Sequence, residues 1–266
     1  MNNKEMAIFI SSPDSYSDVL QVFLECLNKY WRECPYEVII STNTKKYKNA
    51  TVYNNNQVKD SWMDRTIAVL KKIDYDYILL TCDDCFILNY VNTDDVQKLL
   101  KDITASGVKF CGLSNHIRGK RYSKNSNMVF VKNNKAYAKN LQTGIYEREY
   151  LLNILGDGDK TPWELESKWL KEAAQANGDF FTDITSSNKD ILHCRNGVLK
   201  GKWYSSVIKN LHSSGIEIVS DREIIRPHEE YRLRLFSKIG KIVPCRLRMH
   251  IKKILKNCGF LFTSDN

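Results

Sequence analysis

The 266-residue chain predicts an α/β fold built on a mostly parallel central sheet flanked by helices, and three observations carry that expectation. Short apolar runs alternate with stretches of helical spacing through the first 115 residues, the pattern of strands joined by crossover helices. The run "YILLT" at Tyr77–Thr81 is apolar almost throughout, as a strand covered on both faces must be. With 42% hydrophobic and 11% aromatic residues, the chain can bury one large core, which suits a single large domain with an appendage.

Taken in order, Ala7–Ser11 reads as the first strand. "SPDSYSDVLQVFLECLNKYW" then shifts to helical spacing behind the possible caps Asp14 and Ser15. Tyr36–Ser41 and Thr51–Tyr53 are the second and third strands. Ser61 is placed to cap a helix reaching Ile73, with Asp64 three residues on as in a capping box. Tyr77–Thr81 follows as the fourth strand, and a helix capped by Thr93 runs to Ser106, its first turn carrying Asp94 and Asp95. Phe110–Leu113 is a further buried strand. Beyond Asn115 regularity falls, with "MVFV" a short strand and "GDGDK" a loop. In "KTPWELESKWLKEAAQ", Thr161 is an N-cap, Pro162 fits the first helical position and Glu164 completes a capping box.

The amino-terminal apolar run, Met6–Ile10, is too short for the h-region of a signal peptide, and no run is long enough to cross a bilayer. The expectation is a cytoplasmic protein whose eight cysteines stay reduced. The formal charge of +9 is concentrated late: eleven Lys and Arg against three Glu lie between Arg222 and Lys256. That stretch is either a solvated helical face or a contact for an anionic partner, a membrane surface among them. Without a recognition helix or an aromatic platform, no nucleic-acid partner is expected.

The turn "CDDC" after the fourth strand allows two chemistries. Cys82 and Cys85 form a C-x-x-C pair, yet the motif neither opens a helix, as a redox dithiol wants, nor has a second ligand pair, as zinc wants. Asp83 and Asp84 are adjacent carboxylates beyond a strand's carboxyl end, where open α/β sheets gather ligands. A divalent cation bridging a diphosphate would relieve their repulsion. A turn in which the Asp side chains serve local backbone groups is the plainer alternative.

"SWMDRTIAVLKKIDYDYILLTCDDCFIL", "PWELE" and "NGVLKGKW", with "IFISSPDSYSDVLQVFLECLNKYW" and "STN", together resemble bacterial glycosyltransferases of the GT-A fold found in capsule and lipopolysaccharide synthesis clusters. The resemblance covers most of residues 7–226. It implies a GT-A catalytic domain over 1–226, with a nucleotide-binding half (1–115) and an acceptor-binding half (116–226), and a basic helical appendage over 227–266.

It further implies transfer of a sugar from a nucleotide-sugar donor, a UDP-sugar, onto a glycan or polyprenyl-linked acceptor. The protein would work at the inner membrane face, held there through 226–256. The metal, Mn2+ or Mg2+, would sit on the acidic motif. Here the common D-x-D is interrupted by Cys82 or Cys85, leaving Asp84 for metal contact and Asp83 for the ribose or a water ligand.

Ser11, Ser12 and Asp14 can cradle base and ribose, with helix capping as the alternative for Asp14. Arg65 can reach a phosphate, or pair with Asp64 or Asp74 on the surface. Among the basic residues of "HCRNGVLKGKW", Lys202 is the candidate for the diphosphate. The resemblance also implies a carboxylate in this part of the chain that deprotonates the acceptor hydroxyl in an inverting transfer; Glu166, which no capping rule requires, is the candidate, with Glu164 second. Trp163 can stack on a sugar ring, although an aromatic on a first helical turn is more often core. A nucleotidyltransferase of related fold is one rival, but it would usually carry a Gly-rich basic loop where "SSPDSYSD" stands; a basic nucleic-acid-binding protein, suggested by the net positive charge, is the other.

Overall fold

A computed structural model describes residues 5–233 apart from 56–60, 114–119, 125 and 158–159. The chain opens with strand β1 (Met6–Ser11), helix α1 (Ser17–Tyr30), β2 (Glu37–Thr42), β3 (Thr51–Asn54), α2 (Trp62–Leu70), β4 (Tyr77–Thr81), β5 (Cys85–Ile87), α3 (Thr93–Ser106) and β6 (Phe110–Gly112). It continues with β7 (Met128–Lys132), β8 (Gly144–Glu147), α4 (Arg148–Leu155), α5 (Pro162–Gln175), β9 (Phe180–Ser187), β10 (Cys194–Asn196), β11 (Val198–Leu199), β12 (Lys202–Tyr204), α6 (Ser205–Ser213) and β13 (Ile224–Ile225).

Eight strands form one sheet in the order β3-β2-β1-β4-β8-β6-β9-β7. The pairs β1–β2, β1–β4, β2–β3 and β6–β9 are parallel, while β8 and β7 run against their neighbours, so the expected mostly parallel α/β sheet is present. It draws strands from both sides of residue 115.

Alternation along the strands feeds two cores. Met6, Ile8, Ile10 and Leu79 face a layer formed by α1, α3 and α6, through residues such as Phe23, Leu99 and Leu211. Ala7, Phe9, Ile78 and Leu80 face α2, α4 and α5, through Met63, Leu151, Leu165 and Trp169. A central strand buried on both sides has no polar face, and "YILLT" shows none until its terminal threonine.

The caps divide. Ser61 accepts from the Asp64 amide, and Thr161 with Glu164 forms the full capping box. The cap of α3 is Asn92, which accepts from the Asp94 and Asp95 amides; Thr93, one residue on, instead takes the indole N–H of Trp31 on its hydroxyl, at 2.9 Å. Neither Asp14 nor Ser15 caps α1, because residues Asp14–Tyr16 form a 3-10 turn and the Asp14 carboxylate is engaged elsewhere. The helix beginning at 227 carries the buried Glu230, which accepts from the Ser206 amide at 3.0 Å and from the Ser205 hydroxyl at 2.7 Å at the start of α6. Most of the predicted 227–266 appendage, from 234 onward, lies outside the described residues.

Candidate active site

β1 and β4 are parallel neighbours, and the chain departs from β1 toward β2 on one side before returning to β4 on the other. The two carboxyl ends therefore flank a topological switch point, where crossovers diverge and leave a crevice. After β1 comes Ser12, fully buried; after β4 comes a tight turn closed by the Cys85 amide donating to the Cys82 carbonyl at 3.1 Å. The Ser12 hydroxyl donates to Asp83 Oδ2 at 2.6 Å, joining the two strand ends. The Ser12 amide bonds the Ser41 carbonyl at 2.9 Å, which ties in the end of β2.

Burial pushes the Asp83 carboxyl up to about 6 even against the Ser12 hydrogen bond, and burial together with the Asp83 charge pushes Asp84 up to about 7. Local donors do not offset the cost of ionising both, so the plain turn reading leaves it unexplained. Among the described residues no group of three or more His, Cys, Asp or Glu gathers as a complete metal cage. Two carboxylates, with the remaining positions taken by substrate phosphate and water, are nevertheless the usual protein share of a Mg2+ site, and the donor set fits a hard divalent cation. The thiols fare differently. Cys82 and Cys85 are free, and burial followed by the Asp84 charge drives the Cys82 thiol well above its ordinary value, which disfavours the thiolate a redox dithiol requires.

The segment carrying "CRNG" folds directly onto this turn. β10 pairs antiparallel with β5, the Gly197 amide donates to the Asp84 carbonyl at 2.7 Å, and the Val198 amide reaches the Asp84 carboxylate. Only glycine fits at 197, because a Cβ there would come within 1.9 Å of the Phe86 ring. Phe86 stacks on Trp203 with centroids 5.5 Å apart, and β11 and β12 fold back as a hairpin through Lys200–Gly201.

The remaining predicted residues separate. Ser11 is buried beside Ser12, and its hydroxyl has no hydrogen-bond partner among the described residues. Asp14 accepts from Thr42 Oγ1 at 2.6 Å and from the Thr44 amide and hydroxyl; these bonds overcome desolvation and hold its carboxyl well below the usual range. It fastens the loop after β2.

Arg65 is buried rather than on the surface, and its carbonyl accepts from the Ser41 hydroxyl at 3.4 Å. Lys202 lies on the exposed side of β12 and pairs with Glu223 at 2.6 Å. Trp163 is 57% exposed, not core. Glu164 is exposed and committed to its capping box.

Glu166 points inward. Its Oε1 accepts from the Leu141 amide at 2.8 Å, and burial raises its carboxyl against that bond. Its charge is felt at Cys82, which places it within electrostatic reach of the acidic turn. Thr143, two residues from Leu141, bonds both Thr81 at 3.0 Å and Cys85 at 3.2 Å, so the loop that positions Glu166 is fastened to the end of β4.

One site residue was not foreseen. Arg222 forks onto Asp18 (Nε to Oδ2 2.8 Å), lies 4.2 Å from the Tyr16 ring centroid, and its charge reaches Asp83. Arg222 and Asp18 are 204 residues apart, and no local signal links them. In the basic stretch after Asn115, Lys120 lies 5.8 Å over the Phe130 ring and Arg121 donates to the Lys124 carbonyl at 3.3 Å, while His116 and Arg118 fall outside the described residues.

No family model and no curated protein matches the chain. Solved structures do. S. aureus TarS 1–349 is 13% identical at a TM-score of 0.40, covering 69% of this chain and 60% of that one, so the match spans about three fifths of the TarS structure. The same protein is also solved with UDP and with UDP-GlcNAc. CMP:2-keto-3-deoxy-manno-octonic acid synthetase complexed with CTP is 15% identical at 0.43, covering 69% and 88%. A putative nucleotide-diphospho-sugar transferase from Desulfovibrio desulfuricans is 10% identical at 0.37, covering 64% and 77%. All three scores lie below 0.5, and the function proposed below rests on this chain's own residues.

Proposed function

We propose that the chain is a glycosyltransferase of GT-A type that moves a hexose from a nucleotide-sugar donor, a UDP-sugar, onto a glycan or polyprenyl-linked acceptor with inversion. The observation that carries this reading is the 2.6 Å bond from Ser12 to Asp83, which assembles a polar, acidic crevice from two adjacent parallel strand ends. Ser11, Ser12 and the Thr42–Lys45 loop pinned by Asp14 line the nucleoside side. Asp83 and Asp84 would hold Mn2+ or Mg2+, which when bound offsets charge on the diphosphate. Arg222 adds a fixed positive charge on the same side.

Glu166 supplies the base. A carboxyl raised by burial is a stronger proton acceptor than an exposed one, and the Leu141 amide fixes its orientation. The acceptor oxygen forms a bond to the anomeric carbon and its proton passes to Glu166. The bond from that carbon to the phosphate oxygen breaks, and its electron pair leaves with the nucleoside diphosphate.

A thermal-shift panel of nucleotide sugars, with and without Mn2+, tests the proposal. A UDP-sugar should raise Tm more with the metal than without, and the metal-dependent part should vanish in Asp84→Asn. Stabilisation by a nucleoside triphosphate but by no nucleotide sugar would instead identify a nucleotidyltransferase.

A further inference from the structure

Beside the acidic crevice, the loop after β2 carries a tyrosine that the proposed transfer does not use. Tyr47 packs its half-buried ring against the core layer of α1, yet its hydroxyl is buried and has no hydrogen-bond partner among the described residues. A buried hydroxyl left unbonded is costly, and such groups in native proteins meet a water or a ligand.

The loop that carries it is fastened on three sides. Asp14 holds Thr42 and Thr44, the Lys45 ammonium donates to the Ser17 hydroxyl at 2.9 Å, and the Lys45 carbonyl accepts from the Asn54 side-chain amide at 3.0 Å. The loop is thereby tied to the end of β1, to the start of α1 and to the end of β3.

Burial, followed by the charges of Asp14, Asp83 and Asp18, pushes the Tyr47 phenol up to about 12, so it stays a neutral donor. The Tyr16 phenol feels Asp83 and Asp84 together, whereas Tyr47 feels Asp83 without Asp84. Tyr47 therefore stands on the flank of Asp83 away from Asp84. The neighbouring carboxylates are already engaged: Asp14 by Thr42, Asp18 by Arg222 and Asp83 by Ser12.

We infer that Tyr47 is a specificity-determining residue that selects a ribonucleotide, its phenol donating to a ribose hydroxyl of the donor. With metal and diphosphate at the Asp84 end, the next group along a nucleotide is the ribose. Carboxylates on this flank repel a phosphate, whereas an uncharged diol both donates and accepts, which suits a phenol donor beside a carboxylate acceptor. The inference rests on the nucleotide part of the function proposed above and not on the transfer step.

Isothermal titration calorimetry of UDP, 2′-deoxy-UDP and 3′-deoxy-UDP, each with Mn2+, against the wild type and Tyr47→Phe tests it. The wild type should bind UDP more tightly than at least one deoxy analogue by about 3–10-fold, the worth of one neutral hydrogen bond. Tyr47→Phe should lose about the same factor for UDP and nothing for that analogue, so that its discrimination disappears. Its Tm without nucleotide should not fall, because the deleted hydroxyl bonds no described residue.

Discrimination absent from the wild type, or kept in Tyr47→Phe, overturns the inference while the nucleotide reading stands. A lower Tm with discrimination kept identifies a fixed internal water as the partner of the hydroxyl. Equal loss for all three nucleotides also overturns the inference, since the ring and not its hydroxyl would then hold the ligand. A wild type that binds none of the three removes the nucleotide reading and the inference with it.

Discussion

At the scale of single residues, the acidic turn ties function to stability. The Asp83 and Asp84 carboxyls titrate near 6 and 7 in the fold against an ordinary value of 3.8, so the folded state binds more protons than the unfolded chain across that interval. The sign follows: the protein is most favoured where both states are protonated, and stability falls as pH rises from the ordinary value to about 7. Asp84→Asn removes one of the two charges, so without divalent cation its Tm should exceed that of the wild type at about pH 8, and the gap should close toward about pH 4. Equal Tm values at both pH values would show that the pair is not held in a low-dielectric environment. Added Mn2+ should narrow the gap by stabilising the wild type.

Glu166 and Glu164 differ by two positions and by their surroundings. Glu166→Gln should lower kcat by roughly 10²–10⁴-fold with donor affinity nearly unchanged, because the amide cannot take a proton. Glu164→Gln can still complete the capping box, so it should cost about 1 kcal/mol or less of stability and little rate. Steady-state kinetics on the two variants separates the roles, and the large loss at Glu164 would reverse them.

At the scale of elements, the decisive contact is that between β10 and the acidic turn. Gly197→Ala has no room beside Phe86, and either the ring or β10 must move. Overpacking of this kind costs about 1–3 kcal/mol, and here the displacement would also break the amide bonds from Gly197 and Val198 to Asp84. The expected outcome is a lower Tm together with weaker metal-dependent nucleotide binding. A lower Tm with unaltered nucleotide binding would mean that β10 only covers the site.

β8 shows how packing can override local preference. "GIYE" is short and opens with a glycine, yet it occupies the middle of the sheet, and the close packing there requires that glycine: a Cβ at Gly144 would come within 2.6 Å of the Phe110 ring and 3.0 Å of the Cys111 carbonyl. The regularity that falls after Asn115 in the sequence is restored in the sheet by pairings of this kind.

At the scale of the whole molecule, the late basic stretch is fastened at Glu230, whose buried carboxylate ties the chain to the start of α6. No helix among the described residues is long and apolar enough to cross a membrane. Ending the chain at 233 keeps that anchor and removes eight Lys and Arg with one Asp. Since each basic residue near an anionic surface contributes about 1 kcal/mol, sedimentation with anionic vesicles should drop sharply. Undiminished vesicle binding would place any membrane contact elsewhere.

By itself, the sequence determined those features of this protein that local chemistry governs. The alternation of strands and helices, the double-sided burial of "YILLT", the caps at Ser61 and Thr161 and the acidic pair at a strand's end all follow from residues within a few positions of one another. What only the tertiary structure decided depends on partners distant in sequence. The Ser12–Asp83 bond spans 71 residues and the Arg222–Asp18 fork 204. The inward turn of Glu166 depends on the Leu141 amide, and the exposure of Trp163 on what the sheet and helices leave uncovered. A one-dimensional pattern specifies which side chains can bond or bury, and the fold's topology specifies which of them meet.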